Sequence, residues 1–242
     1  MALLVSLVAF KRWLSRHLYG LGLLLTASHD TAILSYFVLL FPGVLAHELS
    51  HWLAAKFLRV PVGRISIGPA RKRGGATRFG SVSVAKTDPL RGSLIGLAPL
   101  LTGTVLILLI AYLIFGLAVP EGLAINAPAQ DILTTLWAYF SVPNFWLWVY
   151  LIFSISNAML PSETDRQAWF SLALYCGVAL LVLYGLGFLQ QVPAQMSSLF
   201  LSGLNHLSFA FLVTVVVDGA VIAVVFLLER ALMLLTGRRV EY

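Results

Sequence analysis

The sequence predicts an all-α polytopic membrane protein. It has about five to six transmembrane helices and a small interfacial β-hairpin between the first two clear spans. Three observations predict this. Of 242 residues, 60% are hydrophobic and 11% charged, and the mean hydropathy is +0.92. A soluble domain of this length carries about a quarter charged residues. Apolar runs of about 18 residues or more, long enough for a helix to cross hydrocarbon, recur along the chain. One segment instead alternates around a glycine-rich basic turn, as a hairpin does. A single domain over 1–242 is the simplest organisation.

Residues 1–29 are read as an interfacial or first transmembrane segment. Lys11, Arg12 and Arg16 divide two short apolar runs there, and no small-residue cleavage site marks a signal peptide. Residues 31–57 form the first clear span, with Pro42-Gly43 placed to kink it. Residues 62–86, "VGRISIGPARKRGGATRFGSVSVAK", form the hairpin. Free strand edges are not tolerated in lipid, so it is expected at the interface or against the bundle. Residues 93–118 span next. A loop at 119–130 and a short surface helix at 131–141 follow. Spans are expected at 143–160 and 168–189, separated by the polar break "LPSETDRQAW". The uncharged "QQVPAQMSS" precedes a last span at 206–235. No internal repeat is visible.

The formal net charge is +6, which raises nucleic acid as a partner. Its distribution argues for no nucleic acid. Nine of the sixteen Lys and Arg lie between Lys56 and Arg91, in one inter-span segment. That is the positive-inside pattern, with the lipid bilayer and its anionic headgroups as the partner. Loop 56–91 and the tail after Gly237 are then cytoplasmic. Alternation brings His51 and Asp165 to that same side. The lone Cys176 excludes an internal disulfide and a cysteine-based metal cluster.

The chemistry lies in "HELSH", 47–51. His47 and His51 are four apart, so on a helix both rings reach one ion. Glu48 lies about 100° round the helix from His47 and is placed to act on a water as general base. Chance gives roughly one such HExxH match in five hundred chains of this composition, so the motif carries weight. The plain alternative, a hydrogen-bonded histidine pair, must bear the cost of three titratable groups in an apolar span. Two histidines leave a catalytic zinc site incomplete. Asp165, Glu163, Asp218 and His206 are the candidates for the third ligand. Asp218 can also bond a polar group across the bundle or support a histidine from behind.

These features together resemble a known family. "HELSH" in a span, a hairpin after it, "GLAPLLTG" at 96–103 and "NAMLPSETD" at 157–165 look like the site-2 proteases, intramembrane zinc metalloproteases. The resemblance covers about residues 31–170 and a member without a PDZ domain. In that family an Asn is followed eight residues on by the Asp that completes the zinc site, as Asn157 and Asp165 are spaced here. Pro161, Arg166 and Thr102 depart from the family's usual residues. The resemblance implies one Zn2+ per chain on His47, His51 and Asp165. It implies Glu48 as the catalytic base and Asn157 as a substrate-orienting or oxyanion-stabilising side chain.

The expected function is hydrolysis of a peptide bond within or near the transmembrane segment of a membrane protein substrate. The expected place is a prokaryotic cytoplasmic membrane, with the site toward the cytoplasm. The strand "GSVSVAK", 80–86, suits β-addition of an unwound substrate; its alternative is a hairpin held by headgroups. The competing function is a non-proteolytic metal-binding or scaffold protein on the same fold. The intact Glu48 argues against that reading, since holding a metal does not require it.

Overall fold

The computed structural model describes residues 2–71, 77–117, 140–160, 162, 165, 169–187 and 194–238. Among these lie six helices and one two-stranded antiparallel sheet. The helices are α1 (Ala2–Thr26), α2 (His29–Phe57), α3 (Pro89–Leu109), α4 (Phe145–Met159), α5 (Trp169–Gly185) and α6 (Ala194–Thr236). The strands are β1 (Val62–Arg71) and β2 (Thr77–Val84).

Residues 2–26 form one continuous helix despite their charges. Leu7, Leu14 and Leu21, seven apart, are buried, while Arg12 and Arg16 are exposed. A seven-residue spacing keeps one face toward neighbouring helices, and α1 packs on α2 and α6. Lys11 is half-buried, and its Nζ donates to the Leu160 carbonyl at 3.2 Å.

Ser28 caps α2, its hydroxyl accepting from the Thr31 N–H. The helix continues through Pro42. Gly43 serves the crossing with α4: its N–H donates to Ser154 Oγ at 2.9 Å, and a Cβ there would overlap the Ser154 carbonyl. Asp88 caps α3 through the Arg91 N–H at 2.9 Å, with Pro89 in the first turn. A π-type turn, Ile110–Ile114, extends α3.

The spans number fewer than the sequence led us to expect. Among the described residues three helices are long and apolar enough to cross a membrane: α2, Pro89–Ile114, and Ser198–Thr236 within α6. Helices α4 and α5 are apolar but have 15 and 17 residues, against the ~20 that a full crossing needs. For α4 the reason is its place. It is the central helix, with residues 152–157 all buried, so it needs no lipid-facing length. The described side chains of α5 from Ala173 to Leu186 are exposed and mostly apolar. Helix α6 starts twelve residues before the expected 206, because "AQMSSLFLSGLN" is helix-compatible once past Pro193. Its buried residues begin at Phe209. The loop expected at 119–130 and the surface helix expected at 131–141, up to residue 139, lie outside the described residues.

The hairpin keeps close to its predicted bounds, and it packs against the bundle, one of the two positions expected for it. Ile65 pairs with Val82, Ser66 with Ser81 and Ile67 with Gly80. The register then shifts between Ile67 and Ala70. Pro69, which has no N–H for the ladder, sits at that bulge. The hairpin runs beside α2 for most of its length. Val62 and Val84 pack with Ala54 and Ala55 near the end of α2. Gly80 lies against Glu48 further back, and Phe79 stacks on Phe37 at 5.9 Å in the first third of α2. Pro69, Ala70 and Thr77 share a cavity with Asp30 and Ile33 at its start. Within a bilayer, strand edges must face protein or water, and β2 lines a cleft.

Candidate metal centre

His47 and His51 sit one turn apart on α2 and turn their rings toward the same point. Their Nε2 atoms are 3.1 Å apart. Each Nδ1 is held by a backbone carbonyl, His47 by Ala158 and His51 by Ile95, both at 2.8 Å. A carbonyl only accepts, so both Nδ1 atoms carry the proton and both Nε2 atoms carry the lone pair.

The two carbonyls are free for local reasons. Ala158 lies in the last turn of α4, where no helical N–H follows. Ile95 lies four residues before Pro99, which has no N–H to return to it. The proline in "GLAPLL" thus supplies the acceptor that orients His51.

Asp165 comes from the segment after α4. Its Oδ1 lies 3.2 Å from His51 Nε2, and its Oδ2 lies 3.7 Å from His47 Nε2. The Ser162 N–H donates to Oδ2 at 2.7 Å. Burial pushes the carboxyl up, but the hydrogen bonds from Ser162, joined by His51 whenever its ring is protonated, hold it below the usual carboxylate range. Asp165 is therefore anionic at neutral pH. The segment fits because Gly96 of α3 lies behind it; a Cβ there would overlap the Asp165 carbonyl oxygen.

These residues fit a metal ion. The three ligand-capable atoms lie within 4.8 Å of one another. Tetrahedral zinc with bonds of about 2.05 Å sets neighbouring ligands about 3.3 Å apart. Here the two Nε2 atoms are 3.1 Å apart, and the carboxylate presents Oδ1 at 3.2 Å from His51 and Oδ2 at 3.7 Å from His47. Two bare lone pairs face each other beside a carboxylate, and a cation between them relieves that arrangement. The oriented imidazoles, each backed by a carbonyl, are a familiar support for metal ligands.

Glu48 is buried beside this group. It lines a cleft of about 380 Å³ with His47, His51, Asp165 and residues 78–82 of β2. The strand lies directly over it. A Cβ at Gly80 would stand 2.5 Å from Glu48 Oε1.

The other sequence candidates lie elsewhere. Asn157 is buried in α4, and its Nδ2 donates to the Phe153 carbonyl at 2.9 Å and to Asp218 Oδ1 at 3.2 Å. It is not among the residues lining the cleft. Asp218 also accepts from Ser156 Oγ at 3.0 Å, so it bonds polar groups across the bundle. His206 bonds the Ser202 carbonyl in its own helix. Glu163 and Arg166 lie outside the described residues. Sequence reading did not single out Ala158, Ile95, Gly80 or Gly96 as supports. Only Pro99 left a signal, as a proline within a helical run.

Comparison with protein-family models, with curated proteins and with solved structures found no match to this chain.

Proposed function

We propose that the protein is an intramembrane zinc metalloprotease of the site-2 protease kind. The observation that carries the reading is the convergence of His47 Nε2, His51 Nε2 and the Asp165 carboxylate, with Glu48 in the same cleft. Two imidazoles and one carboxylate within reach of one ion form a donor set suited to zinc that leaves a fourth position open. Bound there, zinc supplies Lewis-acid chemistry: it lowers the pKa of a water to about 7 and polarises a carbonyl.

The chain's own residues do the rest. Ala158 and Ile95 fix the histidine rings through their Nδ1 protons. Ser162 fixes Asp165. Glu48 accepts the proton of the attacking water and returns it to the leaving amine. Strand β2 forms one wall of the cleft, and a substrate unwound beside it presents its peptide bond extended. The substrate is a membrane protein whose transmembrane segment enters the cleft from the bilayer. Water enters from the cytoplasmic side, where Lys56, Arg59, Lys86 and Arg91 flank the end of α2 and the start of α3.

Metal removal tests this reading. The purified protein is reconstituted with a single-span membrane protein as substrate. A chelator is expected to abolish cleavage, and one equivalent of zinc per chain to restore it. Cleavage that persists in fully chelated protein rules the reading out. A protein that binds zinc tightly yet cleaves no membrane substrate favours the metal-binding or scaffold alternative.

A further inference from the structure

One charge in the cleft is not used by the chemistry above. Arg78 lies on β2 and lines the cleft together with His47, Glu48 and Asp165. Its neighbours fix its level. Gly80 lies against Glu48, and Phe79 stacks on Phe37 and lies against Tyr36, so Arg78 sits beside the stretch of α2 between Tyr36 and Glu48. Its side chain is exposed and makes no hydrogen bond or close ion pair among the described residues, and its charge acts on Glu48 across the cleft. Of the two acids of the cleft, Asp165 is held by the histidines, and Glu48 feels the Arg78 charge without bonding to it. Water in the cleft solvates it in the free protein. A carboxylate entering the cleft can exchange that water for a two-pronged, charge-assisted bond with the guanidinium.

We propose that Arg78 reads an anion on the substrate. The preferred substrate then carries a carboxylate within a few residues of the cleaved bond, as an Asp or Glu side chain or as a free C-terminus. This rests on the proteolytic reading and adds a substrate class to it.

The test uses the zinc-loaded full chain in nanodiscs of neutral lipid. The probes are single-span model peptides with Asp at successive positions around the cleaved bond. Each has an Asn twin, and a second series compares a C-terminal acid with its amide. The zinc content of every variant is measured, so that misfolded protein is recognised. Wild type is expected to cleave the best-placed Asp peptide about tenfold faster in kcat/KM than its Asn twin. Arg78→Gln should bring that ratio to about one, Arg78→Lys should keep part of it, and Arg78→Glu should shift the preference to a Lys peptide. A preference in the internal series assigns a side chain; one in the terminal series assigns the C-terminus. Equal cleavage of Asp and Asn twins by wild type overturns the proposal. So does an Arg78→Gln variant that slows both twins alike, or one whose effect appears only with anionic lipid, which would make Arg78 a headgroup contact. If zinc-loaded wild type cleaves no peptide at all, the proteolytic reading itself fails.

Discussion

His47 and His51 depend on two carbonyls that the helices themselves leave unpaired. This gives an unusual expectation for Pro99. Replacing a proline inside a helix normally helps the helix. Pro99→Ala should instead lower zinc affinity by up to about tenfold, because the new N–H competes with His51 for the Ile95 carbonyl. Isothermal titration with zinc checks this, and unchanged affinity would remove Ile95 from the account. Gly96→Ala should act on Asp165 from behind. Its Cβ has no room against the Asp165 backbone, so the carboxylate is displaced and zinc affinity should fall by about 10–100-fold. Asp218 belongs to a different set of bonds. Asp218→Ala removes one acceptor from Ser156 and Asn157. It should cost about 1 kcal/mol of bundle stability and leave zinc content at one per chain.

The helix carrying HELSH was legible as an element because its apolar run and its motif are local. The hairpin was legible in its bounds, since alternation and a glycine-rich turn are also local. Its course beside α2 was not. The stacking of Phe79 on Phe37 and the fit of Gly80 over Glu48 join residues some forty or thirty positions apart, and no periodicity records such pairings. The same limit applied to Asp165. Its separation from Asn157 could be read in the sequence, whereas its approach to His51 depends on Gly96 in another helix. Helix α1 ties to this segment through Lys11, whose ammonium meets the Leu160 carbonyl at the end of α4. A cation at a helix C-terminus is favourable. Lys11→Met should loosen the segment that leads to Asp165, and faster hydrogen exchange at Ser162 is the measurement that checks it.

At the scale of the whole molecule, composition was enough to indicate a membrane protein, and three helices have the length and apolarity to cross. The larger count expected from sequence treated every apolar run as facing lipid. Helix α4 shows why that failed: a helix surrounded by others is apolar for the sake of the core. The hairpin also changes the charge argument. Its far end reaches the start of α2, so the basic residues that mark one side reduce to Lys56, Arg59, Lys86 and Arg91. The tail after Gly237, expected on that side, lies instead at the Ala27 end, because α6 runs parallel to α1: Gly219 lies near Phe10, and Glu229 bonds His17. Labelling of cysteines introduced at Lys86 and at Ala27, the opposite ends of α2, is expected to show Lys86 on the cytoplasmic face and Ala27 on the other.

All of these scales meet at Glu48, which a metal-binding protein does not need and a protease does. The measurement is cleavage of a reconstituted transmembrane substrate by wild type and by Glu48→Gln, with zinc counted in the same preparations. The account predicts one zinc per chain in both, and a loss of cleavage in Glu48→Gln of about 10²–10⁴-fold. Equal cleavage by the two proteins, with zinc bound in each, would contradict it.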